Sequence, residues 1–288
     1  MKTTLFNFFT ALTLILLVSC AEQPKRATPT TVATEESSPE APVYDTAKPE
    51  TVLAAIAHAH GGWGDLWKKR DVKFTYRYHN PVLNTTDLSE ERYIFRNEAS
   101  YGHYTQHEIN VMPDAEGTVT QCFDGESTQV LVNGEKNEDP QGNAVADFLR
   151  KANYFWFVMP YKLNDPGTIA TFEGQEEFNG ISYDTIKITY DPEITGKEQN
   201  DSYVLYVNPE TKLIDRFYFS LPFMGVNDPV LIADYSYEAV NGQKIATKRT
   251  YLLPDETGTY PEDPVLVQTL SNIQFNNGFT TANLMTME

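Results

Sequence analysis

The sequence predicts a mainly β protein, a meandering antiparallel sheet that curls on itself, with short helical segments. Three observations lead there. Between residues 72 and 276, apolar and aromatic residues alternate with polar ones in about a dozen short runs, the period-two signature of half-buried strands. Turn pairs such as Asn133-Gly134, Asn179-Gly180 and Asn241-Gly242 separate many of them, as in hairpins. Helical spacing interrupts the pattern in two places, near residue 50 and over 142–161.

The amino terminus stands apart. Lys2 precedes an apolar run from Leu5 to Val18 that Asn7, Thr10 and Thr13 interrupt and that ends in Ser19-Cys20. A spanning helix needs about 20 apolar residues, so residues 1–19 read as an export signal. Leu17-Val18-Ser19-Cys20 resembles the lipobox of bacterial lipoproteins, which implies that the Cys20 thiol is acylated and becomes the first mature residue. Residues 20–47 contain no Leu, Ile, Phe or Trp. They cannot bury enough apolar surface to offset chain entropy and read as a lipidated, disordered tether spanning about 30 Å. Ala21 follows the cysteine where Asp would favour inner-membrane retention; by resemblance to the enterobacterial sorting rule, this implies a lipid-anchored protein of the cell envelope, at the outer membrane. Asp45-Thr46-Ala47 resembles the acceptor motif of Bacteroidota O-glycosylation and makes Thr46 a candidate glycan site.

Residues 48–288 read as a single domain. Pro49, at a first-turn position where its missing N–H is harmless, opens a helix with Val52, Leu53, Ile56 and His60 on one face, and Gly61-Gly62 ends it. Trp63, Leu66 and Trp67 form a further turn closed by Lys68-Lys69-Arg70, cations that suit the helix dipole. Val72, Phe74, Tyr76 and Tyr78 then alternate with Lys73, Thr75, Arg77 and His79 as a strand with one aromatic face. Comparable runs occupy 91–97, 100–110, 117–123, 127–133, 168–178, 181–190, 202–208, 212–220, 230–239, 244–252 and 265–276. Over 142–161, Ala144, Val145, Phe148, Leu149 and Ala152 have helical spacing and lead into the aromatic run Tyr154–Tyr161.

Charge and chemistry exclude several functions. With 22 Lys and Arg against 40 Asp and Glu, the 288-residue chain carries a net charge of −18. No basic face remains to release counterions from a phosphate backbone, so no nucleic acid is expected as a partner. Acylation of Cys20 leaves Cys122 as the free thiol, within an alternating run that makes it a buried small hydrophobe. His58 and His60 diverge around a helix, and His103 and His107 point to one side of a strand but lie about 13 Å apart. His60 itself reads as a hydrogen-bonded core histidine, and no metal site is expected. Asp191–Gly196 mimics the start of a calcium loop, but Ser202 stands where a bidentate Glu is required, so it reads as a solvated hairpin loop. No nucleophile elbow, phosphate loop or dinucleotide fingerprint occurs. The chain reads as a non-enzyme without a cofactor.

The strand–turn–strand Asp201–Arg216 resembles the hairpin that builds the middle of the barrel in the LolA/LolB lipoprotein-localisation superfamily. The segments His58–Trp63 and Met159–Gly167 resemble Bacteroidota lipoproteins of that superfamily. The resemblance follows the order of elements over about residues 50–280 and implies that the curled antiparallel meander forms an open, incomplete β-barrel with short helices as a lid, around an apolar cavity for acyl chains.

Two functions follow as expectations. In the first, the barrel holds an apolar ligand, a lipid or acyl chain, against a lining of Trp63, Trp67, Phe74, Tyr76, Tyr78, Trp156, Phe157 and Met159. In the second, the barrel is filled by its own side chains and meets an envelope partner or membrane through the apolar loop Leu221, Phe223, Met224 and Val226, unusual where loops are normally polar.

Overall fold

Nearly every strand pairs with its neighbour in sequence. The computed structural model describes residues 41–197 and 199–286; the signal segment 1–19, Cys20 and the tether to residue 40 lie outside them. A first meander comprises β1 (Asp71–Asn80), β2 (Thr85–Ile94), β3 (Ala99–His107), β4 (Val119–Phe123), β5 (Thr128–Val132) and β6 (Glu135–Lys136). A second comprises β7 (Thr168–Phe178), β8 (Ile181–Tyr190), β9 (Tyr203–Val207), β10 (Ile214–Leu221), β11 (Val226–Val240), β12 (Gln243–Leu252) and β13 (Leu266–Phe275). They fuse where β13 lies antiparallel to β1, giving one 13-stranded sheet in the order β6-β5-β4-β3-β2-β1-β13-β12-β11-β10-β9-β8-β7.

The two edge strands, β6 and β7, follow each other in the chain and do not pair. Had they paired, the meander would be a closed barrel. Instead they are joined by α3 (Pro140–Lys162), 23 residues long, which contributes buried residues to the clusters of both meanders. The fold is therefore mainly β, as the alternation predicts, and open, as the resemblance implies. Two further helices, α1 (Pro49–Ala59) and α2 (Trp63–Lys68), precede β1. Val52, Leu53 and Ile56 of α1 are buried against Met159, Leu163 and the β8–β11 strands.

Local chemistry accounts for the elements. Asp139 caps α3 by accepting from the backbone N–H groups of Gln141 and Gly142 at 3.2 and 2.8 Å, and Pro140 sits at its first turn. Asn179 and Gly180 both take positive φ, 51° and 75°, as a two-residue turn between β7 and β8 requires. The aromatic run that follows the helical spacing continues α3. Tyr154, Phe157, Val158 and Tyr161, spaced three and four apart, share one buried cluster.

Three expectations change. The tether ends before residue 47: Tyr44 Oη donates to Asp184 Oδ2 at 2.6 Å, and Asp45 N donates to Thr51 Oγ1 at 3.0 Å. β2 begins at Thr85 and not at 91, because its inward residues Ser89 and Glu91 are polar and give no apolar alternation. Asp191–Gly196 is a helical turn, α4 (Pro192–Thr195), capped by Asp191 on Glu193 N at 2.9 Å.

Candidate ligand groove

α3 meets the sheet differently on its two flanks. Phe157 stacks on Phe74 at 5.3 Å between ring centres and meets Tyr93 edge-on at 5.6 Å, so this flank is closed. Beside it, Arg150 and Glu91 form a fully buried ion pair at 2.7 Å. Tyr104 Oη accepts from Arg150, while Ser89 and Tyr93 hydroxyls donate to Glu91 at 2.8 and 3.1 Å. Burial alone would penalise the guanidinium, yet Glu91 and Tyr104 hold its pKa above the ordinary value.

The other flank carries a half-open groove of about 750 Å³. Its walls include Phe148, Phe155 and Trp156 from α3, Tyr203 from β9, Leu221 at the end of β10, and Phe223 from the β10–β11 connection. Phe148 and Phe223 stack face to face at 4.2 Å with planes only 3° apart, and Phe155 stacks on Tyr203 at 6.0 Å. Ala144, Phe148, Lys151 and Phe155 recur at helical spacing, which is why one stripe of α3 reaches this groove.

Polar groups punctuate the apolar walls. Lys151 pairs with Asp147 at 2.7 Å, and Lys162 lies between Glu98 at 2.5 Å and Asp165 at 2.8 Å. Burial opposes the Lys162 charge, but bonds to Asp165 and Glu98 outweigh it and raise the pKa. Asp201 accepts from Tyr203 Oη at 3.1 Å, and burial raises its carboxyl pKa. The Tyr190 hydroxyl, in the wall, is buried and has no hydrogen-bond partner among the described residues.

Trp156 also ties the groove to the sheet. Its carbonyl would accept from the N–H of residue 160, but that residue is Pro160 and has none. Arg249 Nη2 on β12 fills the vacancy at 3.2 Å. Trp156's indole packs edge-on against Phe219 at 4.9 Å.

Of the eight residues expected to line a cavity, Trp156 does. Phe74, Tyr76, Phe157 and Met159 are at most 6% exposed and belong to closed clusters, because α3's own aromatics occupy the space over them. Tyr78 is half-buried at the edge of one cluster. Trp63 stacks on Tyr161 at 5.5 Å, while Trp67 is 43% exposed beside it. Of the apolar loop, Leu221 and Phe223 face the groove, Met224 is 66% exposed, and Val226 packs against the core. The loop is a 3₁₀ turn, Pro222–Met224, at the groove's margin. The groove wall also holds Phe148, Phe155, Tyr190 and Tyr203, none of which the strand and helix patterns assign to a cavity lining. The stripe from Ala144 through Phe148 and Ala152 pointed to Phe155, provided the helix is continued through the aromatic run.

The remaining candidates take structural places. Cys122 is buried, and burial pushes its thiol pKa to about 11. His103 and His107 lie on strand β3, as their residue types predict. His60 is fully buried with Nδ1 2.7 Å from Ile56 O, and burial, against that hydrogen bond, lowers its pKa to about 4. No group of three or more His, Cys, Asp or Glu side chains suited to a metal occurs among the described residues. Thr46 is half-buried in the turn before α1.

Residues 90–228 match the model of DUF6503, a family of unknown function. No curated protein matches the sequence. Among solved structures, the chain is similar to a DUF1329 family protein from Desulfovibrio piger, with 12% identity, 85% of this chain and 98% of that one covered, and a TM-score of 0.44. It is also similar to a LolA superfamily protein from Nitrosomonas europaea, with 12% identity, coverage of 77% and 96%, and a TM-score of 0.44.

Proposed function

We propose that this chain is a lipid-anchored binding protein of the cell envelope, and that the groove beside α3 holds an apolar ligand, a lipid or acyl chain. The groove carries the proposal: about 750 Å³ lies within the range of ligand sites, roughly 300–1,000 Å³, and its walls combine aromatic side chains with a few polar groups. The unpartnered Tyr190 hydroxyl supplies one point of polar selection. Anchoring rests on the Leu17–Cys20 lipobox, and Thr46 remains the candidate for glycan attachment. Native mass spectrometry of the protein from its own membranes should find apolar material bound, and Phe155→Asp should lose it. Recovery of only the bare acylated chain would remove the reading. Cys20→Ala should release the protein from membranes.

A second reading, an interaction lipoprotein with a self-filled barrel, is favoured by Phe223 and Met224, exposed by 51% and 66%. It predicts bare protein from the host and a partner whose binding Met224→Asp abolishes.

A further inference from the structure

The open sheet has two edges, and the chain treats them differently. An edge presents unpaired main-chain groups, and natural sheets blunt it with short strands, charges and bulges. β6 is two residues long, both charged and exposed, and beyond it Asn137 N donates to Val130 O at 2.9 Å. β7 is eleven residues long and pairs only with β8 among the described residues. Its blunting devices all lie in the second half: the exposed Glu173, Glu176 and Glu177, and a bulge between Phe172 and Gly174. The first half, residues 168–172, has none, and Ile169 there is 47% exposed.

The hydrogen-bond phase of this half can be read from its start. Gly167 O accepts from Asp191 N at 2.8 Å, and the two residues stand opposite each other in the register that pairs Thr168 with Tyr190. In an antiparallel pair, facing residues alternate between exchanging main-chain bonds and exchanging none. Ile169 and Thr171 therefore turn their N–H and C=O groups to β8, while Ala170 and Phe172 turn theirs to the open side. Thr168 shares that phase, and its N–H meets Asp165 O at 3.2 Å. Among the described residues, no bond from outside the β7–β8 ladder reaches the main-chain groups of Ala170 or Phe172. Both side chains pack against the core, which holds the edge in place.

We propose that β7 is a docking strand for an extended, basic segment of a protein partner, which joins the sheet antiparallel to it. The main-chain groups of Ala170 and Phe172 supply the hydrogen bonds, Ile169 an apolar contact and the glutamates the charge selection. Glu173 has Lys187 at 3.8 Å, whereas Glu176 and Glu177 form no ion pair among the described residues. A second copy of the chain fits poorly, because antiparallel self-pairing centred on the strand would set Glu173 against Glu173.

The test uses the full chain and two synthetic peptides as long as β7, blocked at both ends. One alternates Lys with Thr over its N-terminal half and Val with Thr over its C-terminal half, which antiparallel pairing brings to the glutamates and to Ile169. The other has Glu in place of Lys. Calorimetry should show saturable binding of the basic peptide, with a Kd on the order of 100 μM or tighter, and at least tenfold weaker binding of the acidic one. Hydrogen exchange at the Ala170 and Phe172 amides should slow in the complex. Ala170→Pro removes an outward N–H and leaves the β7–β8 ladder intact, so it should weaken binding at least tenfold. Glu176→Lys with Glu177→Lys, both at exposed positions, should reverse the preference between the peptides, so the test stands even where the proline variant fails to fold. The proposal is overturned if the basic peptide does not bind saturably, if the acidic peptide binds as tightly, or if exchange at Ala170 is unchanged in the complex. A dimer of the parent chain that Ala170→Pro abolishes would overturn it equally, with a second copy as the occupant.

Discussion

The two flanks of α3 present similar aromatic residues to the same sheet and end differently. On one, Phe157 and Phe74 stack with 17° between their planes and Tyr93 closes the edge. On the other, Phe155 and Phe148 stack on Tyr203 and Phe223 and stop at a groove. The contrast follows from what each flank faces. The closed flank meets β1, β2 and β13, the continuous middle of the sheet. The open flank meets strands near the β7 edge, where the sheet runs out before reaching β6. Aromatic content does not decide whether a site is hollow; distance from the unpaired edge does.

Three measurements would sharpen or break this contrast. The largest effect belongs to the buried pair. Arg150→Met leaves the buried Glu91 carboxyl without its ion-pair partner on the closed flank and should lower stability by about 3–5 kcal/mol, much of which Arg150→Met with Glu91→Leu should restore. Urea denaturation checks both, and a single-variant loss below about 1 kcal/mol would argue against a closed flank.

Next come matched truncations. Phe157→Ala should cost about 3–5 kcal/mol, as for a large aromatic in a packed core, whereas Phe155→Ala enlarges an existing space and should cost less than about 2 kcal/mol. Only Phe155→Ala should alter binding of a naphthalene sulfonate dye to the native protein. Equal losses and unchanged dye binding would mean that the two flanks are alike.

The smallest effect is a pH dependence. His60 has its pKa lowered to about 4 by burial, so the unfolded chain takes up a proton on this residue below about 6.5 while the native chain does not. Its contribution is complete above that value and is lost as pH falls towards 4, a difference of about 2 kcal/mol at pH 5. His60→Leu should remove that part of the pH slope, and thermal melts of parent and variant at pH 7 and pH 5 measure it. Identical slopes would show that the ring is solvated.

Period-two alternation made strands β7 and β8 readable to the residue, because apolar and polar residue types alternate along both. Asn179-Gly180 marked the β7–β8 turn and Asn241-Gly242 the β11–β12 turn, because backbone conformation at such positions is a local property. The helical spacing from Ala144 to Ala152 made that part of α3 legible as well. What a linear pattern cannot carry is which of two apolar faces is covered. Phe157 and Phe155 are two positions apart and equally aromatic, and only the packing of a helix in a sheet open on one side separates core from wall. The polar half of β2 stayed hidden because Glu91 has its reason in Arg150, 59 residues away. Trp156 needed Arg249 for a similar reason: the sequence announces that Pro160 lacks an N–H, and the donor that replaces it is chosen by a strand brought near through the fold.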